Sequence, residues 1–357
     1  MDMREPPFPT RPNPYPAGLV ELARERREVI CLTSHLDLPA VQEALPERYL
    51  RTGGATAHMM SLAAALAHAG HIPYVHTYGT FATRRPYDQI ANAIAHPALP
   101  VRIIGFAPGL TTSEGPGHQA VDDIALMRAL PHMTVVDVAE ATEAAALARA
   151  IVNLPGPVYV RLPRTDLPVL FEEPRPLPLA GPQILTEGAD ATVFATGTMV
   201  ETALLAAATL RAAGVHVTVV EVVTLKPLDT GTVREIAARS PAVITAENHS
   251  VIGGLGSAVA ETLAESGTAT PLHRFGLRDT FAEPARTTTY LTEKYGLTPR
   301  HLTDMVWRAT GRRGPVPTEG DGSTEAGTTH RVLTEGDGSA RAGTHRGPAE
   351  GDGSAEV

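Results

Sequence analysis

The sequence predicts an α/β protein with two doubly wound, mostly parallel sheet domains. Buried strands and helices of about ten residues alternate along the chain, stop in a proline-rich stretch, and then alternate again. Hydrophobic residues make up 43% of the chain but aromatic residues only 4%, which favours a core of Ala, Val and Leu between helix and strand layers. This alternation is the pattern of parallel sheets covered by helices.

The first predicted domain spans residues 17–164 and follows a Pro-rich leader, residues 1–16, that we expect to be flexible and disordered. Its strands are short, β-branched and apolar, and its helices end near Gly or Pro. In chain order the predicted elements are helix 17–26, strand 28–33, helix 58–69, strand 73–78, helix 87–95, strand 101–106, helix 120–129, strand 134–138, helix 140–152 and strand 158–162.

A linker at residues 165–188 precedes the second predicted domain, residues 189–312. The predicted elements of this second domain are strand 191–195, helix 199–213, strand 215–222, helix 232–240, strand 242–246 and helix 257–266. Residues 313–357 change to a Gly, Thr, Glu and Ser composition in which EGDGS occurs three times. Such a segment cannot bury apolar surface and is expected to be disordered. The GDG triplets lack the preceding strand that a magnesium motif needs.

The bulk composition excludes several classes of function. A formal net charge of −9 and a pI near 5.9 argue against a nucleic-acid partner, which would need a basic face. No run approaches the roughly twenty apolar residues of a membrane span, and the leader has no signal core, so we expect a cytoplasmic protein. The single cysteine, Cys31, lies in an apolar run and is expected to be a packed thiol.

Several strings in one order resemble the transketolase family. HIPYVHTYGTFATRRPYDQI, GPGHQAVDDIALMRALPHMTVV and GPVYVRLPR resemble its pyrimidine-binding domain, and LKPLDTGTVREIAARSPAVITAENHSVIGGLGSAVAE resembles its C-terminal domain. The resemblance runs from about residue 28 to 312 and includes nothing like the family's diphosphate-binding domain. It therefore implies the C-terminal subunit of a split transketolase. The implied partner is an N-terminal transketolase subunit in an α2β2 heterotetramer, with thiamine diphosphate shared between the subunits and Mg²⁺ held by the partner. We expect no metal ligands on this chain.

The resemblance implies that Phe81 stacks on the aminopyrimidine ring of the cofactor, with Tyr78 beside it and Arg84 of the same string near the cofactor. Stacking on a flat heterocycle contributes about 1 kcal/mol beyond the buried area. Without the surrounding match, Phe81 and Tyr78 would be interpreted as core residues at a strand end.

The segment RTGGATAHM departs from the family pattern, because Thr56 stands where the family has the glutamate that promotes formation of the cofactor ylide. A threonine hydroxyl forms hydrogen bonds but does not exchange a proton at neutral pH. Losing a general acid or base costs roughly 10²- to 10⁴-fold in rate. His58 either relays a proton in its place or faces a partner subunit.

The resemblance also implies substrate-side residues. His118 matches a histidine that hydrogen-bonds the substrate hydroxyl, and a neutral imidazole can both donate and accept near pH 7. Glu114 stands where the family has an aspartate, so a carboxylate is kept, and His35 stands where an aspartate would contact the donor. Arg164 and Arg161 match the region that holds a sugar phosphate, for which guanidinium groups are suited. A family histidine expected near residue 107 is missing.

The second domain contains a glycine-rich string, GGLG at residues 253–256, that suggests a phosphate cradle. A turn that lets a helix start close to the sheet is the favoured interpretation. Three functions remain in view: a transketolase-like enzyme subunit transferring a two-carbon ketol or acyl unit, a non-catalytic structural or regulatory partner, and a 2-oxoacid dehydrogenase E1 beta-like subunit. The divergent site and the near absence of lysine suggest a specialised, secondary-metabolite pathway.

Overall fold

A computed structural model describes Arg4 and residues 7–312. The predicted low-complexity tail, residues 313–357, lies outside the described residues. The strands are β1 (Thr10–Arg11), β2 (Val29–Thr33), β3 (Tyr49–Arg51), β4 (Ile72–Tyr78), β5 (Arg102–Phe106), β6 (Thr134–Asp137), β7 (Val158–Leu162), β8 (Leu167–Pro168), β9 (Gln183–Thr186), β10 (Ala191–Ala195), β11 (Val217–Glu221), β12 (Thr224–Lys226), β13 (Val243–Ser250) and β14 (Leu272–Leu277).

The helices alternate with these strands. They are α1 (Tyr15–Glu25), α2 (Pro39–Ala44), α3 (Thr56–His68), α4 (Gly79–Thr83), α5 (Tyr87–Gln89), α6 (Asp123–Ala129), α7 (Ala141–Ile151), α8 (Met199–Ala212), α9 (Thr230–Ala238), α10 (Leu255–Ser266), α11 (Thr288–Lys294) and α12 (Pro299–Ala309). A 3-10 turn at Pro46–Arg48 precedes β3, and α5 continues as a π-helix over Ile90–Ala95. No helix of the described residues is long and apolar enough to cross a membrane.

The first sheet has seven strands in the order β12-β6-β7-β5-β4-β2-β3. All neighbours are parallel except β12, which pairs antiparallel with β6. Strands β2, β5 and β7 are buried along their whole length, because helices cover both faces of the sheet. The carboxyl ends of β4 and β5 therefore open onto one edge, where an α/β sheet places its ligands.

The second sheet has five strands in the order β14-β13-β10-β11-β9, of which only the edge strand β9 is antiparallel. Its central strand β10 is fully buried, and helix α8 packs against α12 beside it. The two predicted sheets are therefore present, and the predicted bounds of two strands, residues 158–162 and 191–195, agree with the structure.

The leader and the linker are more ordered than the sequence predicts. Strand β1 pairs antiparallel with β8, so part of the predicted flexible leader is held against the start of the predicted linker. Phe8 is buried, and the Val169 N–H donates to the Pro9 carbonyl. The linker also supplies β9 to the second sheet. The high proline content of the leader suggested disorder. Prolines nevertheless suit these two-residue edge pairings, because such pairings need few N–H donors.

Cys31 lies in β2 and is completely buried. Burial raises the pKa of its thiol to about 12, so the thiolate is not formed near neutral pH. The prediction of a packed, unreactive thiol agrees with the structure.

Candidate active site

The carboxyl edge of the first sheet carries a cluster of aromatic rings. Phe81 lies on α4, directly after β4, and only 5% of it is exposed. Its ring centroid is 4.4 Å from that of His35, 5.0 Å from that of His118 and 5.9 Å from that of Tyr78. The rings of Tyr78 and His118 are 5.6 Å apart and nearly perpendicular. We call these four residues the aromatic cluster. It brings together side chains that lie up to 83 positions apart in the sequence, from His35 to His118.

Two of the cluster residues contact a charged group at the rim. The His118 Nε2 atom is 3.2 Å from the Glu114 Oε2 atom, and both side chains are accessible to solvent. The Arg164 Nη1 group donates a 2.7 Å hydrogen bond to the Tyr78 hydroxyl. A guanidinium has five N–H groups, so Arg164 keeps further donors for an anionic ligand.

His35 and Arg85 cover part of Phe81. The Arg85 guanidinium carbon lies 4.0 Å from the Phe81 ring centroid, a cation–π contact, and its Nη1 atom is 3.5 Å from His35 Nε2. The His35 Nδ1 atom is 2.7 Å from the Ser34 hydroxyl. Partial burial and the charge of Arg85 lower the pKa of His35, which favours its neutral form.

His35 also lines a cavity of about 250 Å³ behind the cluster, formed by residues 33–37 with Arg51 and Gly53. The exposed side chains of Arg51 and Asp37 form an ion pair across it, with 3.0 Å between Nη2 and Oδ1. Five of the seven lining residues have polar side chains, and His35 belongs both to this cavity and to the aromatic cluster.

Thr56 is the first residue of α3 and is 2% exposed. The turn before it contains Gly53, whose φ of 58° is readily adopted by glycine, and the Thr56 N–H donates to the Gly54 carbonyl. Within residues 7–312, no carboxylate hydrogen-bonds Thr56, whose N–H donates to the Gly54 carbonyl. His58, two positions later, is exposed on α3.

Two predicted ligand arginines need correction. Arg161 lies in β7 and is 1% exposed, with its guanidinium 2.9 Å from Asp123 Oδ2 and 2.8 Å from Asp137 Oδ2. Although burial alone would lower it, the two carboxylates raise the pKa of Arg161 above its ordinary value. Because all of this guanidinium is engaged inside the protein, Arg161 is not a direct substrate ligand. Arg161 was predicted as a ligand because it lies near Arg164 in the sequence, but it belongs to a fully buried strand and its side chain points into the interior.

Arg84 also has a different task from the predicted one. Its Nε group donates to both oxygens of Asp122 at 2.9 Å, and its Nη1 group donates to the Pro116 carbonyl at 3.0 Å. Arg84 therefore braces the segment that carries His118, while its neighbour Arg85 contacts Phe81. The sequence TRRP gives no signal that distinguishes the two arginines, since the short helix α4 that orients them was not predicted.

The glycine-rich string of the second domain is filled by a side chain of the same chain. The N–H groups of Leu255 and Gly256 donate to the Glu247 carboxylate at 2.7 and 2.9 Å, at the start of α10. Burial raises the pKa of Glu247 to about 7, against the lowering effect of these hydrogen bonds. The adjacent His249 is fully buried, and burial lowers its pKa to about 4. The favoured interpretation of a tight turn agrees with this geometry, and the phosphate cradle does not.

The comparisons with known proteins agree with the fold. The model of the transketolase pyrimidine binding domain matches residues 19–169, and that of the transketolase C-terminal domain matches residues 182–302. The chain belongs to the transketolase family. Its two matched domains correspond to the C-terminal subunit of a split transketolase, as the resemblance predicted.

Relatives of similar domain content support this assignment. An uncharacterized transketolase family protein of Sinorhizobium fredii is 40% identical over 305 residues, covering 84% of this chain and 88% of the relative. A 6-deoxy-6-sulfo-D-fructose transketolase subunit of a Clostridium species is 38% identical over 300 residues, covering 83% of this chain and 92% of the relative.

Solved structures show the same architecture. A split gene transketolase described as an inactive β4 tetramer has 38% sequence identity and a TM-score of 0.77, covering 83% of this chain and 97% of that chain. A transketolase from Pichia stipitis has 19% identity and a TM-score of 0.70 over 87% of this chain, which supports the fold alone. This chain spans 47% of that full-length protein.

Proposed function

We propose that this chain is the catalytic C-terminal subunit of a heteromeric, thiamine diphosphate-dependent transketolase that transfers a two-carbon ketol or acyl unit. The observation that carries the proposal is the aromatic cluster, in which Phe81, Tyr78 and His118 meet beside Glu114 and Arg164 at the carboxyl edge of the first sheet. The sulfonated ketose named for the Clostridium relative supports a polyol substrate with an anionic end group.

The cluster fits the aminopyrimidine end of the cofactor. An aromatic wall flanked by polar rings suits a flat heterocycle with nitrogen atoms at its edge. Phe81 and Tyr78 would hold the ring by stacking and edge contacts, and Arg85 would move from the Phe81 face that the ring occupies. When bound, thiamine diphosphate supplies the carbanion chemistry of the transfer. Thr56 would donate or accept one hydrogen bond at the ring edge without holding a proton.

The remaining residues act on the substrate. His118, paired with Glu114, can donate a hydrogen bond to a substrate oxygen that gains negative charge, and Glu114 orients the imidazole. Arg164 would bind the anionic end group of the substrate through the N–H donors that Tyr78 leaves free. His35, with its lowered pKa, would act as a neutral hydrogen-bonding group near the donor.

The proposed assembly is an α2β2 heterotetramer with an N-terminal transketolase subunit, which would hold the diphosphate through Mg²⁺. The reason is that the matched domains here do not include the diphosphate-binding domain. We also propose that the enzyme works in the cytoplasm. We propose that it serves a specialised, secondary-metabolite pathway, because the segment around Thr56 departs from the family pattern.

A non-catalytic partner subunit is the second candidate. Thr56 favours it, because the family's proton-holding glutamate is replaced. The presence of His118, Glu114, Phe81 and Arg164 at one sheet edge favours the enzyme. In a subunit that had lost its function, these positions would all have been free to change. The 2-oxoacid dehydrogenase E1 beta-like alternative shares the architecture but would need a lipoyl-carrier acceptor.

The test is to co-express the chain with its N-terminal subunit and measure thiamine diphosphate uptake by calorimetry with Mg²⁺ present. Two-carbon transfer is then assayed with a ketose phosphate and with 6-deoxy-6-sulfo-D-fructose as donors. We expect binding, and activity that falls about 10²- to 10⁴-fold in His118→Ala but survives Thr56→Ala. His96→Ala is the control, because His96 is exposed at the end of the π-helix. Absence of cofactor uptake by the pair would rule out the enzyme.

Thr56→Glu separates the two candidates further. If Thr56 occupies the glutamate position, the variant should restore the proton-holding group and raise the rate of cofactor activation. Cofactor activation is followed as exchange of the thiazolium proton by NMR. An unchanged exchange rate would place the missing group elsewhere.

A further inference from the structure

The segment that carries His118 and Glu114, residues 107–119, is held by the second domain. We call it the His118 loop. The Leu110 N–H donates a 2.9 Å hydrogen bond to Asn248 Oδ1, at the end of β13. Gly109 has a φ of 59°, and a Cβ atom there would overlap Asn248. The loop therefore approaches the second domain as closely as a backbone can.

Further contacts tie the C-terminal end of the loop to the same domain. Arg161 Nη2 donates to the Asn248 carbonyl at 2.9 Å and to the Ala120 carbonyl at 3.3 Å, joining the two segments. Just beyond the loop, the Ser250 N–H donates to the Val121 carbonyl at 2.8 Å. Asn248, Arg161 and Val121 are buried, so the hydrogen bonds they make lie in a low-dielectric interior, where they are electrostatically stronger than in water.

The tip of the loop is held by the segment at residues 283–285. The Ala285 N–H donates to the Ser113 carbonyl at 2.9 Å, directly before Glu114. The Gln119 Nε2 group donates to the Glu283 carbonyl at 3.3 Å, directly after His118. Both candidate substrate residues thus have a neighbour whose position is fixed by the second domain.

We infer that the second domain sets the geometry of the active site, with Asn248 as a positioning residue for His118. The inference rests on the proposed function and assigns a role to the string Glu247-Asn248-His249, which contacts neither the cofactor site nor a ligand of its own. Since a misplacement of about 1 Å can cost roughly 10²-fold in rate, the anchor at Asn248 has a catalytic consequence without touching substrate.

Asn248→Ala removes the acceptor for the Leu110 N–H. Thr198→Val is the matched control, because it removes the 3.3 Å hydrogen bond from Asn248 Nδ2 and leaves Asn248 Oδ1 to accept from the Leu110 N–H. In the pair with the N-terminal subunit, we expect Asn248→Ala to lower kcat about 10- to 100-fold while the Kd for thiamine diphosphate stays within twofold, and Thr198→Val to change neither. Damage to the fold as a whole would weaken cofactor binding as well.

Hydrogen exchange on the complex gives a second measurement that does not depend on activity. Asn248→Ala should raise exchange across residues 107–119, and Thr198→Val should not. Gly109→Ala displaces the loop while Asn248 stays intact, so it should give the same loss of kcat. It keeps the inference testable if Asn248→Ala fails to fold.

The outcomes separate the inference from the proposed function. An inactive wild-type pair contradicts the proposed function and removes the catalytic role of Asn248 with it. An active wild-type pair whose kcat is unchanged in both Asn248→Ala and Gly109→Ala overturns the inference alone. Unchanged exchange at residues 107–119 in Asn248→Ala overturns it in either case.

Discussion

The carboxyl edges of the two sheets have the same place in two similar folds but opposite character. At the first edge, His118, Glu114 and Arg164 keep solvent-accessible polar groups around an aromatic wall. At the second edge, Glu247 and His249 are buried and hydrogen-bonded to the chain itself. A parallel sheet offers its carboxyl edge to a ligand, but local residues decide whether that edge stays open. The open edge is the candidate active site, and the closed edge supports it.

The largest expected effect comes from Arg161, which joins the two edges. Arg161→Met would leave the carboxylates of Asp123 and Asp137 buried without a cation, at a cost of about 3–5 kcal/mol in the free energy of unfolding. Urea denaturation of the purified chain measures this loss. The control is Arg164→Met, whose side chain is exposed at the open edge and should change stability by less than about 0.5 kcal/mol.

The Arg161 prediction fails if the two variants are equally stable. In that case the protein interior would tolerate two buried carboxylates without their cation at little cost. Adding Asp123→Asn and Asp137→Asn to Arg161→Met should recover part of the lost stability if the unpaired charges are its cause.

The second effect tests the closed edge through pH. Because burial raises the pKa of Glu247 from 4.5 to about 7, the folded state binds this proton more tightly than the unfolded state. The stabilisation that the folded state gains from the protonated Glu247 is complete when the pH is below the pKa of Glu247 in the unfolded chain. It is lost as the pH rises through the folded-state pKa of about 7. The difference in unfolding free energy between wild type and Glu247→Gln should therefore fall by about 3 kcal/mol between pH 4.5 and 8.

The same series on Glu114→Gln provides the comparison with the open edge. More than half of the Glu114 side chain is exposed, so this variant measures what removing an open-edge carboxylate does to stability. A flat difference for Glu247→Gln would mean that the two N–H groups of α10 keep the carboxylate ionised at all these pH values.

The sequence predicts the layers of the fold better than the residues of the edges. Strands 158–162 and 191–195 are continuous apolar runs between turn residues, and their bounds agree with the structure. Strands β3 and β12 have three residues each and exist only because a neighbouring strand pairs with them, so no local pattern predicts them. Arg161 was predicted as a phosphate ligand beside Arg164, because an arginine inside a buried strand is rare unless it is paired, and its carboxylate partners lie far away in sequence.

The aromatic cluster was predicted in outline from the family resemblance and not from periodicity. Phe81, Tyr78, His118 and His35 meet, as their assignments to one site required. Arg85 and Asn248 were missed. Arg85 follows a five-residue helix that no local pattern predicts, so its contact with Phe81 could not be predicted. Asn248 contacts Leu110, which lies 138 positions earlier in the sequence and in the other domain.

The smallest effect concerns Arg85 and tests how open the first edge is. Its guanidinium lies on the Phe81 ring, and an exposed cation–π contact contributes about 0.5–1 kcal/mol. If the cofactor ring displaces this contact, Arg85→Ala should tighten thiamine diphosphate binding by the pair about two- to fivefold in calorimetry. The gain should vanish when Arg85→Ala is combined with Phe81→Leu, because the ring that both groups compete for is then absent. Weaker binding in Arg85→Ala alone would instead make Arg85 a ligand of the cofactor, and the open edge would be preformed for it.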